Sequence, residues 1–216
     1  MTRPVSDIAF TPTVKALQVQ HGSREAYARM ERERGWEQTI TPELATFIAE
    51  RDSLYLGTAN AAGQPYIQHR GGPKGFLKVI DDQTLAFADF RGNQQYLTAG
   101  ALAENDKAFI FLMDYAGRRR IKLWGRARVI KDDSAFVNHL IDPTYKGHPE
   151  RAIVFTLEAW DANCPQHITR RYTEDDIAAT VQALHARIAE LEAENRVLRE
   201  TGAPSLKKRF IFRAKK

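Results

Sequence analysis

The sequence predicts a mainly β protein: six or seven short antiparallel strands forming a barrel, with flanking helices, an N-terminal helical arm and a C-terminal coiled-coil-like helix. Three observations carry this. β-Rich runs recur between Ser53 and Trp160, punctuated by Gly, Pro and Asp turns; the segments between them are too short for βαβ crossovers; and the run Arg120–Ile130 alternates between two kinds of face. The size agrees, since 216 residues make one domain with appendages. Hydrophobic residues are 43% and charged residues 27% of the chain, values that exclude a disordered or fibrous protein.

Taken in order, residues 1–40 read as an arm, in which SREAYARMERERGW forms a surface helix packing Tyr27, Met30 and Trp36. Thr41 is an N-cap, Pro42 the first helical residue and Glu43 part of the first turn of a short helix through Glu50. SLYLGTAN and PYIQHRG, joined at Gly63, form one hairpin; FLKVI and TLAFADF, joined at Asp81-Asp82, form a second. A helix-compatible stretch runs to Asn105. KAFIFLM is continuously apolar, which predicts a strand buried on both faces. After RIKLWGRARVI come a short helix near 133–140 and the strand AIVFTLEAW. The expected organisation is an arm (1–40), a barrel (41–172), a helix (173–200) and a basic tail (201–216).

In the strand from Arg120 to Ile130, Ile121, Leu123, Gly125, Ala127 and Val129 share the core face, whereas Arg120, Lys122, Trp124, Arg126 and Arg128 share the other. That second face is either a solvated surface on which basic stems cover Trp124, or a wall for a planar anion with Trp124 as stacking surface or rim. QHRGGPKGF, residues 68–76, interrupts a strand with glycines, as an ordinary loop or a close backbone approach would.

Several chemistries lose their usual support. There is no GxxxxGK[ST] loop, no GxGxxG opening a helix and no HExxH, so no metal site is expected. The single cysteine, Cys164, allows neither an internal disulfide nor a cysteine-based zinc cluster. A Cys164–His167 nucleophile is disfavoured, because three residues apart in an extended run the side chains point to opposite faces. No apolar run reaches the ~18 residues of a membrane helix, and no signal peptide is visible, so a soluble, cytoplasmic protein is expected. Six of the last ten residues are basic, and removing them from a net charge of +5 leaves −1, which argues against nucleic-acid binding by the body.

The run from Arg51 to Val129 resembles the pyridoxamine 5'-phosphate oxidase-like family of FMN-binding split β-barrels. Within it the chain is most similar to a flavin-binding branch marked by QHRGGP, an RGN turn and Trp-Asp-x-Asn-Cys-Pro-Gln-His-Ile, here Trp160–Ile168. The resemblance implies a homodimer with FMN in a groove between the chains. It implies that Gln68, His69, Arg70 and Gly71 line one side of the flavin and that Phe87, Ala88 and Asp89 follow on the next strand. Arg91, Asn93 and Gln94 match the phosphate turn, and Arg120 and Lys122 fall on the strand facing the pyrimidine end of the ring. Gln94 and Gln95 stand where the vitamin-synthesising enzymes carry an Arg-Lys pair, which implies weaker phosphate binding. Pro73 stands where the substrate-binding lysine does, and Asn163–His167 near the Arg-x-His segment, which argues against pyridoxine phosphate oxidation.

The expected activity is an FMN-dependent oxidoreductase passing hydride or electrons through flavin N5, from a donor such as NADH or NADPH to a small acceptor. Gln166, His167 and Arg170 are the substrate-side candidates. Alternatives are a non-catalytic flavin carrier or regulator, and a barrel holding haem or a deazaflavin.

Residues 177–200 follow a heptad with Ile177, Leu184, Leu191 and Leu198 at d, and Val181, Ile188 and Asn195 at a. β-Branched a, leucine d and one a-position asparagine are the pattern of a parallel two-stranded coiled coil. An amphipathic helix lying on its own barrel is the alternative.

Overall fold

The computed structural model describes residues 3–143, 145–163 and 165–202, with Asn163 described by its backbone alone. Cys164 and the basic residues from 207 onward therefore lie outside the described residues. Seven strands form one antiparallel sheet: β1 (Ser53–Ala59), β2 (Pro65–Gly71), β3 (Lys78–Val79), β4 (Thr84–Phe90), β5 (Lys107–Asp114), β6 (Arg119–Ile130) and β7 (Pro149–Asn163). Their order is β2-β1-β5-β6-β7-β4-β3. The end strands β2 and β3 form no ladder with each other among the described residues, so this is a split barrel and not a closed one.

The β1–β2 hairpin pairs Ser53 with Gly71 through Ala59 with Pro65, and Gly63 in the turn has φ +81°. The inner faces supply the core: Leu54, Leu56, Leu85, Phe87, Ile110, Leu112, Leu123, Ile153 and Phe155 are each essentially inaccessible. Burial of each such side chain contributes on the order of 1.5–3 kcal/mol, which makes this cluster the main source of stability in a chain with one cysteine. Helix α3 (Pro42–Ala49) adds Leu44, Phe47 and Ile48 to it, and the Thr41 hydroxyl accepts from the Leu44 N–H at 3.3 Å as its N-cap.

In β6, Ile121, Leu123, Gly125 and Ala127 are buried, as the alternation requires. Gly125 sits where the register with β7 slips by one residue, and a Cβ there would collide with the Thr156 carbonyl oxygen. The apolar run of β5 behaves differently from the expectation. Ala108, Ile110, Leu112 and Asp114 are buried, but Phe109 and Phe111 on the opposite face are only half-buried. The doubly buried strand is β4, in which Leu85 through Asp89 are all buried. Its inner face joins the main core through Phe87, and its outer face, through Ala86 and Ala88, packs in a second cluster with Val137 and Leu140. Those two come from helix α5 (Ser134–His139) and its C-cap.

The arm holds two helices where the sequence reading placed one, α1 (Pro12–Gln20) and α2 (Arg24–Glu33). Phe10 bridges them to the sheet: its ring lies 5.3 Å from Tyr27 and 5.1 Å from Trp36, which stacks on Trp124 at 4.6 Å. Helix α4 (Leu97–Glu104) precedes β5.

The chain divides into two compact units at Arg170 and Arg171. The second holds α6 (Glu174–Glu200), which opens on a capping box between Thr173 and Asp176, carries three acidic residues in its first turn and has Arg199 in its last turn. None of its residues is buried. Among the described residues no helix is long and apolar enough to cross a membrane.

Candidate functional site

Because side chains on a strand alternate, β2 turns Tyr66, Gln68 and Arg70 to one side and Ile67 and His69 to the other. The first set meets the end of β4, the start of β7 and the start of α4 in a cleft at the opening of the barrel. Asp89 and Phe90 come from β4, Glu150 and Arg151 from β7, and Leu97, Thr98 and Ala99 from α4. Gly92 through Tyr96, in the loop between, complete the lining. The ladder places Asp89 opposite Arg151, and after it the register shifts so that Phe90 pairs with Pro149 and the Arg91 N–H donates to the His148 carbonyl at 2.8 Å before the loop begins.

An ion pair spans the split. Arg70 Nη1 lies 2.6 Å from Asp89 Oδ1, and Arg151 Nε lies 3.4 Å from Asp89 Oδ2. Arg151 also pairs with Glu150 and stands over the Tyr96 ring at 4.9 Å. Burial pushes the Asp89 carboxyl above its ordinary range, and the two arginines only partly oppose it. Even so, Arg70 Nε, Arg151 Nε and Asp89 Oδ1 are buried without an aligned hydrogen bond. Buried polar atoms normally find partners, and three unpartnered ones gather here.

The loop supplies the rest. Gln94 and Tyr96 hold φ of 61° and 54°, a left-handed conformation costing about 1–3 kcal/mol each in residues other than glycine. Such strain collects at binding sites. Tyr96 is the N-cap of α4 but no side chain caps the helix, so its first-turn N–H groups are free to meet an acceptor. The Thr98 hydroxyl donates to Gln68 Oε1 at 2.6 Å, tying α4 to β2. With its amide oxygen turned toward Arg91, Gln94 accepts from Nε at 3.0 Å and Nη2 at 2.9 Å. Arg91 itself lies at the rim, 3.9 Å from Glu150 and mostly exposed.

These donors suit a phosphate or another small dianion, because guanidinium, amide and helix-start N–H groups converge there. Asp89 and Glu150 offset Arg70 and Arg151, which leaves Arg91 as the cation with the most freedom to engage an anion. The cavity volume is about 50 Å³, far below the ~300–1,000 Å³ of a small-molecule pocket.

Of the residues singled out in the sequence, Gln68, Arg70, Asp89, Asn93 and Gln94 meet in this cleft and Arg91 lies beside it. Phe87 and Ala88 turn into the two cores. His69 packs edge-on to Tyr55 at 5.6 Å, and Gly71 lies beside the His69 ring. Arg120, Lys122 and Trp124 are not in the cleft. Lys122 pairs with Asp161 at 2.8 Å and lies over the rings of Trp36 and Trp124. These flank a larger cavity of about 610 Å³ under the arm, lined also by Phe10, Tyr27 and Trp160. Its rings pack on one another and Trp160 Nε1 donates to the Thr39 carbonyl at 2.9 Å, as in a packed junction. Gln166, His167 and Arg170 are exposed after β7, outside the cleft, and His167 has φ 63°.

Sequence reading missed Tyr66, Tyr96, Thr98, Glu150 and Arg151. A charged pair opening the apolar run of β7 was the available signal for Glu150 and Arg151. Among the described residues no group of three His, Cys, Asp or Glu is placed to hold a metal ion.

No curated protein matches the chain. HupZ of Group A Streptococcus is similar in structure, with 18% identity, a TM-score of 0.48, and coverage of 62% of this chain and 99% of that one. An FMN-binding protein from Syntrophomonas wolfei subsp. wolfei has 18% identity, a TM-score of 0.45, and coverage of 68% and 97%. A Clostridium acetobutylicum protein related to general stress protein 26, of the pyridoxinephosphate oxidase family, has 16% identity, a TM-score of 0.43, and coverage of 62% and 94%. The family model for pyridoxamine 5'-phosphate oxidase matches residues 40–167, more than half of the chain. That span runs from the residue before Thr41 to the segment after β7 and contains every residue of the cleft, so the chain belongs to the pyridoxamine 5'-phosphate oxidase family.

Proposed function

We propose that the protein is an FMN-dependent oxidoreductase that works as a homodimer, moving hydride or electrons from a reduced donor such as NADH or NADPH to a small acceptor. The observation that supports this best is the loop Arg91–Gln94 set beside the uncapped start of α4, next to the Arg70–Asp89–Arg151 cluster that holds the two lips of the split. Family membership makes FMN the natural occupant. When bound, a flavin supplies the two-electron chemistry at its N5.

The chain's residues bind and orient. Arg91, Asn93, Gln94 and the first N–H groups of α4 hold the phosphate, and the Thr98–Gln68 hydrogen bond fixes β2 against α4. Arg70 keeps the two lips of the split together through Asp89. A second copy supplies the missing wall, consistent with the shallow cleft and with Ile67 standing 69% exposed on the edge strand β2. Gln166, His167 and Arg170 are proposed for the substrate side, and Arg120, Lys122 and Trp124 for contact with the flavin bound mainly by the other chain.

The test is the absorbance spectrum of purified protein followed by mixing with NADH or NADPH. A yellow protein that releases FMN on denaturation, and whose flavin is bleached by the nicotinamide and recovers with an acceptor, supports the reading. A yellow protein inert to both donors is a flavin carrier instead. A colourless protein that fails to quench added FMN removes the cofactor assignment.

A further inference from the structure

The unit beginning at Arg171 poses its own physical problem. Helix α6 runs 27 residues and none is buried, although Ile177, Val181, Leu184, Ile188, Leu191 and Leu198 stand between 37% and 58% exposed. An isolated helix is marginal in water, and most helical stability comes from packing an apolar face. The capping box and terminal charges of α6 contribute, but they leave that stripe in water. Something covers it.

The sequence of the stripe selects the occupant. The exposed apolar residues occur every seven with alternating spacings of four and three, the 3.5-residue period of a left-handed supercoil. Valine and isoleucine occupy a, leucine or isoleucine d, and Asn195 is the single polar residue within the seam. A flat or curved sheet surface has no use for such a period, whereas a second identical helix presents the matching holes. The flanking charges are self-complementary in parallel register. Arg187 at g faces Glu192 at e of a mate, and Glu194 at g faces Arg199 at e. In the single chain Arg187 bonds Glu190 at 2.8 Å, with both side chains more than half exposed, a weak pair that exchanges at little cost. A shallow groove lined by Ile188, Leu191, Glu192, Asn195 and Arg199 lies along this seam.

We propose that α6 pairs with α6 of a second copy of this chain in a parallel, in-register two-stranded coiled coil, with Asn195 opposite Asn195 of its mate. The pairing makes the helix a dimerisation element in its own right, separate from any contact between barrels. It does not depend on the flavin assignment.

Cysteine cross-linking of the full-length chain tests it. In a Cys164→Ser background, Leu198→Cys places thiols at d, facing each other only if the helices are parallel and in register, whereas Ala193→Cys places them at f, pointing outward. Under a glutathione redox buffer, Leu198→Cys is expected to give roughly tenfold more disulfide-linked dimer than Ala193→Cys. Equal yields, or none, overturn the proposal; the same result in a chain whose helix lies on its own barrel is expected, since the d thiol is then covered. A second measurement guards against a poorly folded variant. Asn195→Leu, which removes the register-fixing residue, is expected to raise the thermal stability of the helix by circular dichroism and to admit species larger than the wild-type oligomer in sedimentation. An unchanged or lowered stability with no new species contradicts a seam at that position.

Discussion

The first unit contains two clusters built from the same parts, one buried aspartate between two arginines, and they end in opposite electrostatic states. At the turn between β5 and β6, Asp114 accepts from the Gly117 N–H at 2.7 Å and from Arg119 Nε at 3.1 Å, with Arg51 Nη1 at 3.6 Å. Arg51 is in turn spent on the carbonyls of Met113 and Phe47 and lies over the Phe47 ring. In the cleft, Asp89 has two arginines but orphaned atoms on all three side chains. Both aspartates have little exposed surface, and Asp89 lies the deeper of the two. Burial raises both carboxyls, yet for Asp114 the Gly117 hydrogen bond and the Arg119 and Arg51 charges outweigh it, and the net displacement is downward. For Asp89 burial wins. One cluster is completed by the protein itself, and the other keeps unpartnered polar atoms.

The largest effect expected from breaking this contrast is on folding. Asp114→Ala removes the charged acceptor of the Gly117 N–H and of Arg119 Nε, and loss of a hydrogen bond to a charged group costs about 1.5–3 kcal/mol. Urea unfolding should show that loss, while FMN affinity of the folded variant stays unchanged. A fall in FMN affinity as large as the fall in stability would mean that the two clusters are not separate in function.

The next effect is on binding. Arg91→Ala removes a charge-assisted contact worth about 1.5–3 kcal/mol, so FMN affinity should drop by roughly ten- to a hundredfold with little change in unfolding midpoint. Arg128→Ala, an exposed cation on the outer face of β6, is the control and should bind as the wild type does. Equal affinities in the two variants would move the phosphate toward Arg70.

The smallest effect is the dependence on pH. Asp114 sits below its ordinary value of 3.8 in the folded chain, so its contribution is present above that value and is lost as pH falls through the lower folded value. Asp89 sits above 3.8, so its contribution is full below that value and is lost as pH rises through the raised one. Unfolding midpoints measured from about pH 3 to pH 7 should therefore diverge. The wild type gains on Asp114→Asn as pH rises and loses ground to Asp89→Asn. Parallel curves would show that the two carboxyls share one environment.

Local chemistry made much of the fold legible. The Thr41 cap, the Gly63 turn and the two faces of β6 follow from residue type and period, and each is found in place. Gln68, Arg70 and Asp89 were readable from their resemblance to a known motif. Arg151 and Thr98 were not, because their place in the cleft depends on the β4–β7 register and on how α4 meets β2, both long-range pairings. The same limit explains Phe87 and Ala88, which sit next to a site residue in sequence but turn into two cores on a strand buried on both faces. β5 shows the converse: its apolar run suggested double burial, but its outer face is only partly covered, Phe109 packing edge-on to Trp124 of β6 at 5.2 Å.

Thermal unfolding with and without FMN tests the central claim most directly, because a ligand held by the Arg91–Gln94 loop and the start of α4 binds the folded chain alone. At a free concentration of about 100 times Kd, binding adds about 2.7 kcal/mol of stability. The account predicts a clear rise in Tm for the wild type and for Asp114→Asn, and a much smaller one for Arg91→Ala at the same FMN concentration. An unchanged Tm for the wild type at saturating FMN, or an equal rise in all three, would contradict it.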